Sequence, residues 1–155
     1  MSDKIHAQAS HVIDARPEQV YAVIRDYQVG HPAILPKYFT GLRVVKGGQG
    51  EGTELLVDMK VYGQEFHYHQ VVTEPEPGRT LVETDVETGQ FSRFTFEPLN
   101  GGKQTKVTIF SEFPASPGLK GLVEKLMQPS VVARLYREEL HILDTYVRGQ
   151  ANGVN

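Results

Sequence analysis

The sequence predicts an α+β fold in which an antiparallel sheet packs against one long C-terminal helix. Near the end of the chain, apolar residues recur at helical spacing on a single face: Val132, Leu135, Tyr136, Leu140, Leu143, Tyr146 and Val147. Most of the chain before this segment alternates between apolar and polar residues, with short turn signals between the runs. Short connections favour antiparallel pairing, and the apolar helix face needs the apolar sheet face as its partner.

The C-terminal helix is predicted to span residues 130–148 and to end at Gly149, because glycine is the favoured residue just after a helix. Residues 150–155 are expected to form a disordered tail, which leaves residues 1–149 as a single domain.

A second apolar stripe precedes this helix. Leu119, Leu122, Val123 and Leu126 share one helical face, and Ser116 and Pro117 are typical of a helix start. That stripe lies roughly 120° around the helix axis from the later one. Proline also lacks the amide hydrogen that a helix interior needs, so we expect a break or a sharp kink at Pro129.

Length, composition and charge are those of an ordinary soluble protein domain. The chain has 155 residues, of which 39% are hydrophobic and 23% charged. A net charge of −3 with scattered signs provides no basic face, so we expect no nucleic-acid partner. Without cysteine there is no disulfide or thiolate. The sequence has neither a signal-peptide core nor a long apolar run, so we expect a cytoplasmic protein without stable membrane insertion.

Two short helices are predicted after a first strand at Ile5–Ile13. In DARPEQVYAVIRDY, Pro17 suits the first helical position and an apolar stripe follows it. In HPAILPKYF, Pro32 is placed to open a helix and Pro36 limits its length.

A glycine-rich turn joins the next two strands, in LRVVKGGQGEGTELLVDMKV. Glycines at positions 47, 48, 50 and 52 allow the positive φ angles of a hairpin. A phosphate-binding loop is disfavoured, because the glycines lead through Thr53 into a strand and no Gly-Lys-Ser/Thr motif precedes a helix.

Alternation gives the bounds of the second hairpin strand and of the four strands that follow it: Glu54–Val61, Gln64–Thr73, Leu81–Val86, Phe91–Phe96 and Thr105–Phe113. In the third of these, the pattern puts Val82, Thr84 and Val86 on the core face and turns Glu83 and Asp85 outward. On this interpretation no charged side chain faces inward from any predicted strand.

The order of one strand, two short helices, six strands and a long helix resembles the SRPBCC (START-like) superfamily, especially its polyketide cyclase/dehydrase branch. The segments that carry the resemblance are DARPEQVYAVIRDY, HPAILP, GGQGEGTEL, EPGRTLVE and FTFEPLNGGKQTKVTI, within residues 5–148. The resemblance implies a single START-like domain with a helix-grip fold, a curved seven-stranded antiparallel sheet around the C-terminal helix over a cavity. Members include lipid-transfer domains, plant pathogenesis-related proteins, aromatase/cyclases and chaperone activators, so the fold leaves several functions open.

One strand face carries a candidate metal site. Glu65, His67 and His69 project to the same side, and two histidines at this spacing can share a metal ion. Alternation predicts, however, that Phe66 and Tyr68 face the core, so the histidines face solvent. We therefore predict a solvated face, with no metal and no cofactor.

A ligand pocket is predicted between the sheet and the C-terminal helix. Its expected walls are Met59, Phe66, Tyr68, Phe94, Ile109, Tyr136, Leu140 and Leu143. The polar side chains expected to point inward are Tyr68, Gln70, Thr84, Ser92, Ser111 and Tyr136. They either satisfy one another and buried water or orient a largely apolar ligand.

The absence of an inward charge from the predicted strands favours binding over catalysis, because a general acid or base is usually His, Glu, Asp or Lys. Loop and helix residues at the mouth remain candidates, namely Arg25, His31 and Tyr38. No G-x-S-x-G motif is present for a serine nucleophile.

The favoured function is therefore binding of a hydrophobic or aromatic small molecule, lipid-like or polyketide-like, in the internal cavity. One alternative is a polyketide aromatase/cyclase-like or dehydratase-like enzyme. Another is a protein–protein interaction module that uses the outer face of the sheet.

Overall fold

The computed structural model describes residues 4–114 and 129–153, and it has the predicted fold class. The strands are β1 (Lys4–Ile13), β2 (Phe39–Lys46), β3 (Glu54–Val61), β4 (Gln64–Glu76), β5 (Thr80–Asp85), β6 (Phe91–Leu99) and β7 (Gln104–Pro114). The described helices are α1 (Pro17–Arg25), α2 (Gly30–Ala33) and α3 (Pro129–Gly153), with a 3₁₀ turn at Asn100–Gly102.

The seven strands form one curved antiparallel sheet in the order β1-β7-β6-β5-β4-β3-β2. Strands β2 to β7 follow one another through short connections, as the turn signals indicate. Strand β1 pairs with β7, so α1 and α2 carry the chain from one edge of the sheet to the other. Helix α1 contacts α2, β6 and β7.

The first helix forms where the sequence predicts it. Pro17 is its first residue, and Val20 and Ile24 lie fully buried on one face. After the helix, the Asp26 carboxylate accepts hydrogen bonds from the backbone amides of Gln28, Val29 and Gly30, at 3.1, 3.2 and 3.3 Å. This turn starts α2 two residues before Pro32, earlier than expected.

The last helix differs from the prediction at its C-terminal end. It does not end at Gly149 but continues to Gly153, so residues 150–153 of the expected tail are helical. A glycine costs a helix only about 1 kcal/mol, which disfavours but does not stop it. Pro129 is the first described residue of α3. The stripe of Leu119 to Leu126 and the start at Ser116 and Pro117 lie outside the described residues, so the break at Pro129 stays a prediction.

The solid part of the core lies where α1 meets the sheet and the C-terminal half of α3. Its fully buried members include Ile13, Val20, Ile24, Val107, Leu140, Leu143 and Val147. Removal of this apolar surface from water is the main stabilising contribution to the fold.

The glycine-rich hairpin between β2 and β3 has the predicted positive φ angles, which include +58° at Gly50. A side chain at Gly50 would collide with Glu74, since an added Cβ would lie 2.1 Å from Glu74 Oε1. The loop's amide hydrogens are already used: Gly48 donates to Thr53, Gly50 to the Arg25 carbonyl, and Glu51 to Glu74. The loop is therefore tied to its own neighbours, which is consistent with the sequence-based view that it is no phosphate cradle.

Strand β5 faces the opposite way from the prediction. Leu81, Glu83 and Asp85 are buried, whereas Val86 is 51% exposed. Thr84 shares the outward side with the predicted core residue Val82 and does not face the core. The pattern misleads because both carboxylates are satisfied by hydrogen bonds inside the protein.

Asp85 shows how such burial is tolerated. Its Oδ1 accepts the amide hydrogen of His69 at 3.1 Å. Its Oδ2 accepts hydrogen bonds from the amide and the hydroxyl of Thr88, at 3.0 and 2.8 Å. The carboxylate therefore fastens the turn after β5, and it takes the inward place that apolar residues were expected to hold.

Among the described helices, none has the length and apolar character needed to cross a membrane.

Candidate functional site

A cavity lies between the inner face of the sheet and the N-terminal half of α3. Its apolar walls are Leu35, Phe39, Leu42, Leu55, Val57, Met59, Phe94, Ile109, Phe113, Val132 and Leu135. Its polar and aromatic-polar walls are His31, Tyr68, Gln70, Glu83, Gln90, Ser92, Tyr136 and Glu139. The volume of this cavity is about 80 Å³. One water needs roughly 10–15 Å³ by this measure, so the interior is not solid here.

Five of the eight predicted wall residues border this cavity. They are Met59 from β3, Tyr68 from β4, Phe94 from β6, Ile109 from β7 and Tyr136 from α3. Cross-strand register brings the sheet residues together. Phe94 pairs with Ile109, and Met59 pairs with Phe66, which lies two residues before Tyr68 on the same strand. The alternation of the sequence is sufficient to place them on one face.

The other three predicted residues do not border the cavity. Leu140 and Leu143 are completely buried in the solid core, further along α3. Phe66 is half-buried near the tip of the β3–β4 hairpin. Helical periodicity correctly put both leucines on the inner stripe of α3, but it does not tell which half of the stripe meets empty space.

Three hydroxyl groups form a cluster in the cavity wall. Ser92 Oγ lies 2.7 Å from Ser111 Oγ and 3.3 Å from the Tyr136 hydroxyl, and the Ser111 and Tyr136 hydroxyls are also hydrogen-bonded. Burial raises the pKa of Tyr136 to about 12, so this phenol is neutral near pH 7. The cluster satisfies itself in part, as one of the two sequence-based interpretations expects.

Tyr68 and two glutamines add further polar groups to the wall. Burial raises the pKa of Tyr68 to about 12, so it too is neutral near pH 7 and can donate or accept a hydrogen bond. Gln70 and Gln90 border the same space. These groups can orient a ligand without carrying charge.

Glu83 brings a carboxyl group to the cavity, contrary to the sequence prediction. The Tyr27 hydroxyl donates to Glu83 Oε2 at 2.7 Å, and burial next to this carboxyl raises the pKa of Tyr27 well above 10. His31 Nε2 lies 3.7 Å from the same oxygen. His31 Nδ1 lies 2.8 Å from the Ile24 carbonyl oxygen, which only accepts, so Nδ1 carries a hydrogen. The remaining nitrogen of His31, Nε2, therefore faces Glu83.

Glu139 on α3 is a second buried carboxyl at the cavity wall. It is 4% exposed, and burial, followed by the charge of Glu83, raises its pKa well above the ordinary 4.5. Helical spacing in the sequence predicts that Glu139 faces inward, whereas the alternation of the strands gives no information about this residue. Glu139 lies four residues after Leu135 and four before Leu143, inside the apolar stripe of the helix.

The mouth residues suggested by the sequence are arranged differently. His31 borders the cavity but is buried rather than placed at an opening. Arg25 pairs with Glu74 at 3.4 Å, and neither Arg25 nor Tyr38 is among the described wall residues.

The outer-face histidines of β4 pair with carboxylates of β3. His67 Nδ1 lies 2.6 Å from Asp58, and this exposed hydrogen bond raises the pKa of His67. His69 Nε2 lies 3.4 Å from Glu54. Within residues 4–114 and 129–153, no three His, Asp or Glu side chains converge as metal ligands would.

Several solved structures are similar to this chain. The solution structure of the KanY protein superposes with a TM-score of 0.81 at 28% identity, over 94% of this chain and 99% of that chain. The Zhui aromatase/cyclase from Streptomyces sp. R1128 has a TM-score of 0.75 at 18% identity, over 96% of each chain. A START superfamily protein from Mycobacterium smegmatis has a TM-score of 0.73 at 16% identity, over 94% and 98%. The last two likenesses show the fold alone.

No curated protein matches this sequence significantly. The profile of the family described as polyketide cyclase / dehydrase and lipid transport matches residues 4–148. This match confirms the START-like resemblance drawn from the motif order. The chain belongs to the polyketide cyclase/dehydrase and lipid transport family.

Proposed function

We propose that this protein binds a hydrophobic or aromatic small molecule, polyketide-like or lipid-like, in the cavity between the sheet and α3. The observation that carries the proposal is the cavity itself, which has aromatic and aliphatic walls and a few polar groups. Binding sites for small molecules have this composition, because apolar contact supplies affinity and a few hydrogen bonds supply orientation. The family description, which includes lipid transport, supports the same class of function.

The size of the cavity favours a compact ligand. Its volume of about 80 Å³ is below the roughly 300–1,000 Å³ of typical ligand pockets. A single aromatic ring system needs less rearrangement of the wall than a long acyl chain does. Met59 at the border is unbranched and flexible, so it can yield to such a ligand.

The first test combines extraction with a cavity-blocking variant. Purified protein is extracted with organic solvent, and the extract is examined by mass spectrometry for a discrete hydrophobic or aromatic compound. Binding of 2-naphthol, a neutral fluorescent aromatic, is then measured for wild type and Leu42→Trp. Leu42 borders the cavity from edge strand β2, where a larger side chain is tolerated more easily than in the centre of the sheet.

The matched control is Val45→Trp, on the outer face of the same strand, where the side chain is 48% exposed. Leu42→Trp should weaken 2-naphthol binding at least tenfold, and Val45→Trp should leave it within about twofold, since only the first fills the cavity. Equal affinities in all three proteins would remove the cavity as the binding site.

A second candidate function is catalysis of the cyclase or dehydratase kind, as in the aromatase/cyclase that this fold resembles. It is favoured by one observation, the three ionisable side chains His31, Glu83 and Glu139 at the cavity wall. Carboxyl and imidazole groups are the usual general acids and bases, and proton transfer contributes about 10²–10⁴ in rate. Conversion of the extracted compound by wild type, reduced 10²-fold or more in Glu139→Gln, would establish catalysis. Recovery of the compound unchanged would leave binding.

The third sequence-based alternative, a protein–protein module, is distinguished by the same experiments. It requires that extracts contain no compound, that 2-naphthol does not bind in the cavity, and that substitutions on the outer face, such as Lys60→Glu, abolish capture of a partner. Lys60 is exposed on β3, away from the cavity.

A further inference from the structure

The turn after α1 carries the residues that bring polar groups to one end of the cavity. His31 borders the cavity and is 2% exposed. Its ring stacks on that of Tyr27, with ring centroids 4.6 Å apart and ring planes 17° apart, and it meets the edge of Phe94 at 5.7 Å. Tyr27 and His31 both lie beside Glu83. The shape of this end of the cavity therefore depends on how the turn is held.

His31 is fixed by two hydrogen bonds to the end of α1. Its ring nitrogen Nδ1 donates to the Ile24 carbonyl oxygen at 2.8 Å, and its backbone amide donates to the Asp26 carbonyl oxygen at 2.7 Å. The carbonyl groups of the last helical turn have no amide partner within the helix, so the imidazole satisfies one of them. One bond from the ring and one from the backbone together determine both the position and the orientation of the imidazole.

The Asp26 carboxylate organises the turn that contains these groups. It accepts hydrogen bonds from the amides of Gln28, Val29 and Gly30, and a fourth from Gln49 Nε2 at 2.7 Å. Burial by itself raises the pKa of Asp26, but these hydrogen bonds outweigh burial and lower the pKa below 3.8. Hydrogen bonds to an ionised acceptor are stronger than those to a neutral one, so Asp26 holds the turn firmly.

The glycine-rich hairpin supports the same turn from the other side. The Gly50 amide donates to the Arg25 carbonyl oxygen at 2.9 Å, and the Tyr27 amide donates to the Gly48 carbonyl oxygen at 2.9 Å. The residues between them also pair, as an isolated antiparallel bridge. None of the hairpin residues at 47–52 is among the described wall residues of the cavity. The hairpin is therefore connected to the cavity through the turn.

We propose that Asp26 is a positioning residue of the cavity: together with Gln49 of the glycine-rich hairpin, it holds the turn that places and orients His31 against the bound molecule. Asp26 itself is not among the described wall residues. The inference rests on the proposed function, binding of a small molecule in the cavity, and it names what controls the polar end of that site. The affinity of the cavity then depends on a residue that the bound molecule does not touch.

The first test observes the imidazole of His31 directly by nuclear magnetic resonance. The ¹⁵N chemical shifts of the ring show which nitrogen carries the hydrogen, and they are measured at pH 8, above the ordinary titration range of histidine. The chain has six histidines, so the signals of His31 are identified by their loss in His31→Gln. Wild type should show the hydrogen on Nδ1, because the Ile24 carbonyl oxygen only accepts. Asp26→Ala should shift these signals toward a mixture of the two tautomers.

Two milder variants grade the effect. Asp26→Asn keeps one side-chain carbonyl oxygen as an acceptor for the amides, so its His31 signals should lie between those of wild type and Asp26→Ala. Gln49→Ala removes one of the four donors to Asp26 and should give a smaller shift in the same direction. If Asp26→Ala does not fold, these two variants make the same comparison with smaller shifts.

The matched control is Glu51→Ala, in the same hairpin. Glu51 pairs with Glu74 of β4 and not with the turn: its amide donates to Glu74 Oε1 at 2.7 Å, and its carboxylate accepts the Glu74 amide. Glu51→Ala should therefore leave the His31 signals unchanged. Urea unfolding of each variant records its loss of stability, so that a general loosening of the hairpin is distinguished from displacement of His31.

The second test measures binding of 2-naphthol. Asp26→Ala should weaken it by about three- to tenfold, the effect of one misplaced neutral hydrogen bond, and Glu51→Ala should leave it within about twofold. If Asp26 acts through His31, its loss should have no further effect once His31 is replaced. The double variant Asp26→Ala/His31→Gln should then bind 2-naphthol as His31→Gln does, whereas a purely structural role for Asp26 would give additive losses.

Two results would overturn the positioning role of Asp26. One is that the His31 ring signals stay unchanged in the folded Asp26 variants, and the other is additive losses of affinity in the double variant. Failure of wild type to bind 2-naphthol would instead remove the proposed function. The ring signals would still decide whether Asp26 positions His31, so the two failures are distinguishable.

Discussion

The two halves of α3 lie on the same sheet but have different surroundings. In the C-terminal half, Leu140, Leu143 and Val147 are fully buried in a solid core. In the N-terminal half, Leu135, Tyr136 and Glu139 border the cavity. One continuous helical stripe therefore packs into the core at one end and lines the cavity at the other. The sequence of the helix alone does not determine which end does which.

The difference arises from what lies opposite each half. Helix α1 contacts α3 and the strands β6 and β7, and its buried residues Val20 and Ile24 belong to the core around Leu143 and Val147. The described residues around Tyr136 and Glu139 are side chains of the sheet and α2, and they leave a space. A cavity here is thus a consequence of where the short helices cover the sheet.

The largest expected effect compares one leucine from each half. Leu143→Ala should lower the free energy of unfolding by about 2–5 kcal/mol, since it opens a cavity in a packed core. Leu135→Ala should cost less, because that side chain already lacks contacts on the side of the cavity. Urea unfolding measures both values. Equal losses would show that the N-terminal half is packed as tightly as the other.

A smaller effect concerns the charged hydrogen bond of Glu83. Tyr27→Phe removes the hydroxyl that donates to this carboxyl and should lower the free energy of unfolding by about 1.5–3 kcal/mol. Urea unfolding again provides the measurement, with the double variant Tyr27→Phe/Glu83→Gln as its control. Additive losses in the double variant would contradict a direct interaction between the two side chains.

The pH dependence of stability should report the buried acid in the N-terminal half. The pKa of Glu139 is higher in the folded protein than the 4.5 of an ordinary glutamate, so the folded state binds its proton more tightly. Stability from this group is then fully present below pH 4.5 and declines as the pH rises toward the folded pKa.

Glu139→Gln should remove this decline and raise the thermal midpoint at pH 7 relative to wild type. Thermal unfolding between pH 4 and pH 8 is the measurement, expressed as the difference between variant and wild type, because groups such as Glu74 contribute with the opposite sign. Glu138→Gln should follow wild type. Parallel curves for wild type and Glu139→Gln would contradict the assigned burial of a neutral acid.

The smallest expected effect concerns the hydroxyl cluster. Tyr136→Phe removes one neutral hydroxyl and little volume, so 2-naphthol affinity should fall tenfold or less. Tyr68→Phe should behave in the same way. If the cavity is catalytic and either hydroxyl transfers a proton, turnover in that variant should instead fall by about 10²–10⁴.

The sequence predicted most of the architecture because its signals are local. Alternation located the strands, Pro17 located the start of α1, and the glycines at 47 to 52 located a hairpin. The order of these elements was sufficient to indicate the family. Gly149 is the local signal that failed, because an exposed glycine lowers helix stability only slightly and α3 continues past it.

Tertiary contacts alone decided the chemistry of the cavity. Alternation turned Glu83 outward because carboxylates prefer water, but Tyr27 and His31, which come from elsewhere in the chain, lie beside its carboxyl group. Leu143 gives a second example. The helical pattern places it inward, but only its packing with residues of α1 puts it in the core and not at the cavity. Local sequence determines which face of an element is buried, and distant residues determine whether that face meets another side chain, a carboxylate or an open space.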